Sequence, residues 1–179
     1  MTSSSTTDIK NENWPMTMRE TELTIREFEA GDEAAFRSLN EEWIRRYFVI
    51  EPKDEASFAD PRGSILDRGG RIFFAVQDRQ PVGCCALLSM ESGGFEVAKM
   101  AVSESYRGNG IGRRLLEKAV AEARAAGAHR LYLETNKKMQ PAIRLYESIG
   151  FRHVPSERIV PSPYSRANVY MELYFDGVK

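Results

Sequence analysis

The chain has 179 residues, of which 42% are hydrophobic and 28% charged, and its formal net charge is −1. This length suits one domain with a full hydrophobic core. The near-neutral charge argues against bulk binding to nucleic acid or to an anionic membrane, and no apolar run approaches the roughly 20 residues that span a bilayer. We therefore expect a cytoplasmic protein without nucleic-acid or membrane partners.

The domain organisation and the metal content follow from the ends of the chain and from its cysteines. Residues 1–20 are rich in Ser, Thr and Asn and predict a flexible tail. Residues 21–179 are then predicted to form a single domain, because no Gly/Ser-rich or Pro-rich linker divides them.

Cys84 and Cys85 are adjacent, so in a strand they point to opposite faces and are expected to stay reduced. His129 and His153 have no ligand-like spacing, so we expect no metal.

Hydropathy patterns predict the elements in chain order. Residues 23–28 alternate apolar and polar side chains, which indicates a strand. Asp32 is then the predicted N-cap of a helix, and residues 51–70 are mostly loop or short helix. The later predicted elements are strands over 71–76, 82–88 and 95–102, a helix over 110–126, a strand over 130–135, a helix starting near Pro141, and strands over 151–154 and 167–175. This order is typical of an α/β protein with a mixed sheet.

The strongest chemical signal is the turn Arg107-Gly108-Asn109-Gly110-Ile111-Gly112, between a strand and a helix. Glycines let the backbone approach a ligand closely, and the free N–H groups of a helix start favour an anion. Arg113 and Arg114 add positive charge, so the turn is predicted to bind a pyrophosphate. The spacing is neither the G-x-G-x-x-G of a dinucleotide fold nor a P-loop. The alternative is a purely structural glycine turn.

Two motifs carry a resemblance to a known family. Arg107-x-x-Gly110-x-Gly112, after a strand ending Met100-Ala101-Val102, resembles the acetyl-CoA motif [Q/R]-x-x-G-x-[G/A] of the GNAT acetyltransferase superfamily. Pro141-Ala-Ile-Arg-Leu-Tyr146-Glu-Ser-Ile-Gly-Phe151 resembles the family's closing block, A-x-x-L-Y-x-x-x-G-F. The resemblance implies the GNAT fold, with a mixed, mostly antiparallel sheet of about six to seven strands flanked by about four helices.

The resemblance also implies acetyl-CoA as cosubstrate, with no metal. Many family members carry Asn at the position that is Met139 here, so either Asn136 takes over that contact or the contact is missing. The implied acetyl-CoA-binding residues are Met100, Ala101, Val102, Arg107, Gly108, Asn109, Gly110, Ile111, Gly112, Arg113, Asn136 and Tyr146.

The implied reaction is direct attack of an amine on the thioester. An alkylammonium has a pKa near ~10.4, so a base must remove a proton. Glu96 matches the glutamate base of the family's histone acetyltransferases, or else it is a solvent-facing carboxylate and a water chain serves instead. Tyr146 matches the usual general acid, or else it only packs against the sheet. A backbone N–H within residues 99–102 would stabilise the thioester oxygen.

The acceptor side is expected to involve Trp43, Tyr47, Tyr164 and Arg166. Arg166 either clamps an acceptor carboxylate or pairs with a surface acid. The acids in residues 51–55 either attract a cationic amine or form a solvated face.

The expected function is acetyl transfer to a primary amine of a small molecule or amino-acid-like acceptor. The alternatives are a protein or peptide N-acetyltransferase and a non-catalytic acyl-CoA sensor, although a sensor has no need of a proton donor. The expected partners include a second copy of this chain in a homodimer.

Overall fold

The computed structural model describes residues 22–175, so the tail predicted for residues 1–20 lies outside the described residues. The strands are β1 (Thr24–Glu27), β2 (Arg71–Gln77), β3 (Gln80–Met90), β4 (Gly94–Val102), β5 (Arg130–Thr135), β6 (Arg152–His153) and β7 (Val169–Tyr174). The helices are α1 (Glu33–Tyr47), α2 (Pro52–Ala59), α3 (Pro61–Ser64), α4 (Ile111–Ala125) and α5 (Gln140–Ile149).

The strands form one seven-stranded sheet in the order β1-β2-β3-β4-β5-β7-β6. The pairs are antiparallel except for β4 and β5, which run parallel. The predicted mixed, mostly antiparallel sheet is therefore confirmed. The described residues contain five α-helices where about four were expected, because residues 51–70, predicted as mostly loop or short helix, form the short helices α2 and α3. Within residues 22–175, no helix is long and apolar enough to cross a membrane.

Hydrophobic side chains cover both faces of the sheet. Successive strand residues point to opposite faces, so Phe73 packs in the core beneath α4 and α5, whereas Phe74 packs in the core beneath α1 and α2. Cys85 lies in the core beneath α4 and α5, and Cys84 lies in the core beneath α1 and α2. Both are free buried thiols. The predicted opposite orientation of the two cysteines is therefore confirmed.

The start of α1 departs from the prediction. Asp32 occupies the N-cap position, but its side chain makes no capping hydrogen bond. Both of its carboxylate oxygens instead accept from the guanidinium of Arg26, at 2.6 and 2.9 Å, and one also accepts from the N–H of Glu29 at 2.8 Å. A bidentate charged pair is stronger than one hydrogen bond to a helix N–H. The predicted N-cap position is therefore confirmed, but the side chain of Asp32 pairs with Arg26 of β1 and does not cap the helix.

An irregularity in β4 creates an opening in the sheet. Residues 84–86 of β3 face residues 98–101 of β4, so β4 carries one extra residue, and Lys99 takes a left-handed φ of 50°. The parallel pairing of β4 with β5 covers only Phe95–Val97 against Leu131–Leu133. Beyond Val97 the two strands separate, and their facing edges border a cavity.

We predict that Leu115→Ala lowers the free energy of unfolding by about 2–5 kcal/mol, because Leu115 is fully buried between α4 and the sheet. Urea denaturation measures this loss. The matched control is Val160→Ala, at a side chain that is 74% exposed, with an expected change within about 0.5 kcal/mol. Equal effects of the two substitutions would contradict the assigned core.

Candidate active site

A cavity of about 540 Å³ occupies the opening between β4 and β5. The end of α1, the glycine turn, α5 and residues 164–167 complete its walls. Of the predicted site residues, Asn109 alone does not line it, since its side-chain amide turns back to the carbonyl of Tyr106 at 3.3 Å. The predicted residues that line the cavity are Trp43, Tyr47, Glu96, Met100, Ala101, Val102, Arg107, Gly108, Gly110, Ile111, Gly112, Arg113, Asn136, Tyr146, Tyr164 and Arg166.

The glycine turn presents free backbone donors to one end of the cavity. Gly108 and Gly110 have φ values of 83° and 74°, which glycine adopts without strain. The first backbone hydrogen bond of α4 runs from the N–H of Arg114 to the carbonyl of Gly110 at 3.1 Å, so the N–H groups of residues 111–113 have no intrahelical acceptor. The side chain of Arg107 donates to the carbonyl of Val102 at 3.0 Å and ties the turn to β4. This arrangement suits an anion.

Tyr146 lies on α5 and lines the cavity. The residue is only 8% exposed, and its ring packs on Phe151 with ring centroids 6.0 Å apart. Its hydroxyl makes no hydrogen bond with any residue of the described chain. Burial, and to a smaller extent the neighbouring Cys85, raise the pKa of this phenol. Tyr146 is therefore protonated at neutral pH and free to donate a hydrogen bond to a bound molecule.

Two carboxyl groups, Glu96 and Glu134, line the same cavity from neighbouring strands. Glu96 forms no hydrogen bond or ion pair with the described residues, and burial followed by the charge of Glu134 raises its pKa. Glu134 accepts hydrogen bonds from the hydroxyls of Ser162 and Tyr132, the latter at 3.2 Å. Glu134 was not predicted, because only the parallel register, with Glu96 opposite Tyr132, brings it to the same face.

A buried charge network centred on Asp54 forms the far wall. Asp54 is fully buried and accepts from Lys99 Nζ at 2.6 Å and from both terminal nitrogens of Arg166 at 2.7 and 2.8 Å. Arg166 also lies 3.2 Å from Glu51. Burial favours the neutral acid, but the hydrogen bonds from Arg166 and Lys99 outweigh it and hold the pKa of Asp54 at about 2. Burial lowers the pKa of Lys99. Arg166 therefore pairs with an acid, but that acid is the buried Asp54 and not the surface acid of the predicted alternative.

Aromatic side chains complete the acceptor end. The hydroxyl of Tyr164 accepts from Lys99 Nζ at 2.9 Å, and its ring covers the guanidinium of Arg166 at 4.4 Å. Trp43 packs edge-on against Phe48 at 6.2 Å, and its buried Nε1 has no acceptor among the described residues. Tyr47 is 39% exposed at the rim. Phe48 was missed because it follows the last turn of α1, outside the helical spacing that singled out Trp43 and Tyr47.

Asn136 at the end of β5 is held by backbone groups. Its side-chain nitrogen donates to the carbonyl of Arg166 at 2.6 Å, and its side-chain oxygen accepts from the N–H of Lys138 at 2.9 Å. It thereby joins the β5–α5 loop to the segment that precedes β7. Met139 lines the cavity nearby. Among residues 22–175, no cluster of three or more His, Cys, Asp or Glu side chains could hold a metal ion.

The family of the chain follows from comparison with known proteins. The model of the acetyltransferase (GNAT) family matches residues 33–151, and the chain belongs to this family. The uncharacterized N-acetyltransferase YjgM of Escherichia coli strain K12 is 39% identical over 112 residues, which cover 60% of this chain and 64% of that protein. The chain spans 54–64% of the lengths of three curated relatives that it matches.

Solved structures support the fold. A GNAT-family acetyltransferase from Staphylococcus aureus Mu50 superposes with a TM-score of 0.78 at 20% identity, over 86% of this chain and 99% of that one. The protein yncA of Salmonella typhimurium, solved with its cofactor acetyl-CoA, superposes with a TM-score of 0.67 at 20% identity, over 88% of this chain and 96% of that one.

We predict that Asp54→Asn lowers stability by about 3 kcal/mol at neutral pH, because Lys99 and Arg166 stay buried without their carboxylate. The pKa of Asp54 falls from an ordinary 3.8 to about 2 on folding. Its ionisation thus contributes about 2 kcal/mol above pH ~4, and this contribution is lost as the pH falls toward ~2.

Urea denaturation of the parent and the variant across this pH range tests the linkage. The stability gap should narrow between about pH 4 and pH 2. Glu55→Gln, on the same helix but half-exposed, is the control and should cost less than about 1 kcal/mol. A gap that stays constant down to the lowest pH would contradict the charged state assigned to Asp54.

Proposed function

We propose that the protein transfers the acetyl group of acetyl-CoA to a primary amine of a small molecule or amino-acid-like acceptor by direct attack. One observation carries the proposal. A single cavity connects the free N–H groups of the glycine turn with a protonated, unpaired Tyr146 and an unpaired Glu96. An acyl-CoA sensor would need the turn but neither of the two proton-transfer groups.

The cavity residues fit acetyl-CoA. The N–H groups of residues 111–113 and the positive end of the α4 dipole would hold the pyrophosphate. The edge of β4 from Met100 to Val102, which has no pairing with β5, would hydrogen-bond the pantetheine arm as an added strand does. When bound, acetyl-CoA supplies an electrophilic thioester carbonyl. The presence of acetyl-CoA in the yncA structure supports this assignment.

Glu96 and Tyr146 would move the protons. An amine enters mainly as its ammonium ion at neutral pH. Because burial and Glu134 raise the pKa of Glu96, its carboxylate is a stronger base than an exposed one and accepts that proton, directly or through water. Tyr146 donates its proton to the departing thiolate. Trp43 and Tyr164 would flank the body of the acceptor.

Thiol release from acetyl-CoA in the presence of a panel of primary amines tests the proposed activity. We expect at least one small amine to raise the rate well above the rate of uncatalysed hydrolysis. Thiol release only in the presence of peptides or proteins would favour the protein-acetylating alternative.

We predict that Gly112→Glu weakens CoA binding at least tenfold. A Cβ at Gly112 would make near-ordinary contacts with Met100 and Leu145, at 3.4 and 3.5 Å, so the main effect is a negative charge at the anion site. Calorimetry with CoA measures the change. Ala125→Glu adds the same charge at the exposed far end of α4 and should leave the affinity unchanged. Unchanged affinity in folded Gly112→Glu would refute this pyrophosphate site.

We predict that Tyr146→Phe lowers turnover on the order of 100-fold and leaves CoA affinity nearly unchanged, because the ring packing stays and only the proton donor is lost. Steady-state thiol release and calorimetry measure the two quantities. Tyr174→Phe, at a half-exposed tyrosine outside the cavity, is the matched control. If turnover of Tyr146→Phe stays within a few-fold of the parent, Tyr146 is a packing residue.

A further inference from the structure

The charges at the acceptor end restrict which amine the cavity can receive. We infer that the acceptor is a cationic primary amine on an apolar body that carries no carboxylate, an assignment that rests on the proposed acetyl transfer and narrows it.

The two buried cations at this end are already neutralised. Both terminal nitrogens of Arg166 hold Asp54, at 2.7 and 2.8 Å, and one also lies 3.2 Å from Glu51. The ring of Tyr164 covers the guanidinium. Lys99 donates to Asp54 at 2.6 Å and to the hydroxyl of Tyr164 at 2.9 Å. A substrate carboxylate could pair with Arg166 or Lys99 only by breaking this buried network, and buried pairs are costly to break.

The two carboxyl groups on the opposite wall lack such partners. Glu96 has no hydrogen bond or ion pair within residues 22–175, and Glu134 accepts only from two hydroxyls. The charges that act on Glu96 besides Glu134 are the ammonium groups of Lys53 and Lys99. Lys99 is held by Asp54, and Lys53 is an exposed residue whose Nζ lies over the ring of Tyr164 at 4.9 Å. The wall formed by Glu96 and Glu134 therefore favours a cationic ligand.

An independent observation shows that this cavity is shaped for a ligand. Tyr146 is more than nine-tenths buried, lines the cavity and has an unpaired hydroxyl. The Nε1 of Trp43, another lining residue, is buried and has no acceptor among residues 22–175, and buried polar groups without partners are uncommon in native proteins. The rest of the acceptor end is aromatic, with Trp43, Phe48 and Tyr164 on its lining. These rings suit an apolar substrate body.

The geometry of an amino acid explains the selection. In an α-amino acid, one carbon joins the ammonium to the carboxylate. If the ammonium lies at Glu96, the carboxylate is forced close to Glu96 and Glu134, and like charges repel at such distances. An amine without that carboxylate retains the attraction and avoids the repulsion.

The test compares 2-phenylethylamine with phenylalanine, which differ only by the carboxylate. Calorimetric titration into the CoA-loaded protein measures binding without requiring turnover. We expect 2-phenylethylamine to bind at least tenfold more tightly than phenylalanine. Phenylalanine amide, which has similar bulk without the negative charge, should recover most of the lost affinity. Thiol release with the same amines reports separately on the proposed acetyl transfer.

Glu134→Gln should reduce the preference for 2-phenylethylamine over phenylalanine several-fold, since it removes one negative charge and keeps one of the two oxygens that accept from Ser162 and Tyr132. Glu91→Gln, at an exposed carboxylate outside the cavity, should leave the preference unchanged. Equal or tighter binding of phenylalanine, or no binding of either amine, would overturn the assignment. If Arg166→Lys also abolished tight phenylalanine binding, Arg166 would be a carboxylate clamp instead.

Discussion

The separation of β4 from β5 beyond Val97 is the constraint on which the site depends. Parallel pairing ends after three residues on each strand, and the extra residue at Lys99 bends β4 away. The separation leaves one edge of β4 without a strand partner, and exposed strand edges pair readily with extended ligands. It also places the glycine turn, which follows β4, at one end of the cavity and Glu96 at the other.

The Asp54 network stabilises the acceptor side of this opening. Its members come from α2, from the β4 irregularity and from the segment before β7. A left-handed φ at Lys99 costs free energy for a residue with a Cβ, and the ion pair with Asp54 offsets part of that cost. The network neutralises Lys99 and Arg166, two cations that line the cavity. Under the proposed assignment, the structure of this end and its selectivity depend on the same carboxylate.

Local patterns predicted much of the fold and the cofactor end of the site. The glycine turn and the closing block are each contiguous in sequence, so local motifs suffice to single out residues 107–112 and Tyr146. The Asp54 network could not be predicted in this way, because Asp54 lies 45 residues from Lys99 and 112 from Arg166, and local sequence patterns carry no record of such pairings. Asp32 occupies the predicted N-cap position, but its side chain pairs with Arg26 of β1, which the helix-start pattern did not indicate.

Amide hydrogen exchange with and without CoA tests the central claim most directly, because it reports on individual backbone N–H groups. If CoA lies along the free edge of β4 and on the start of α4, amides within residues 98–102 and 111–113 gain protection at saturating CoA. The outer surface of α4 and α5 should stay unchanged. Calorimetry verifies that the protein is saturated with CoA. If neither segment then gains protection, the result would contradict the account.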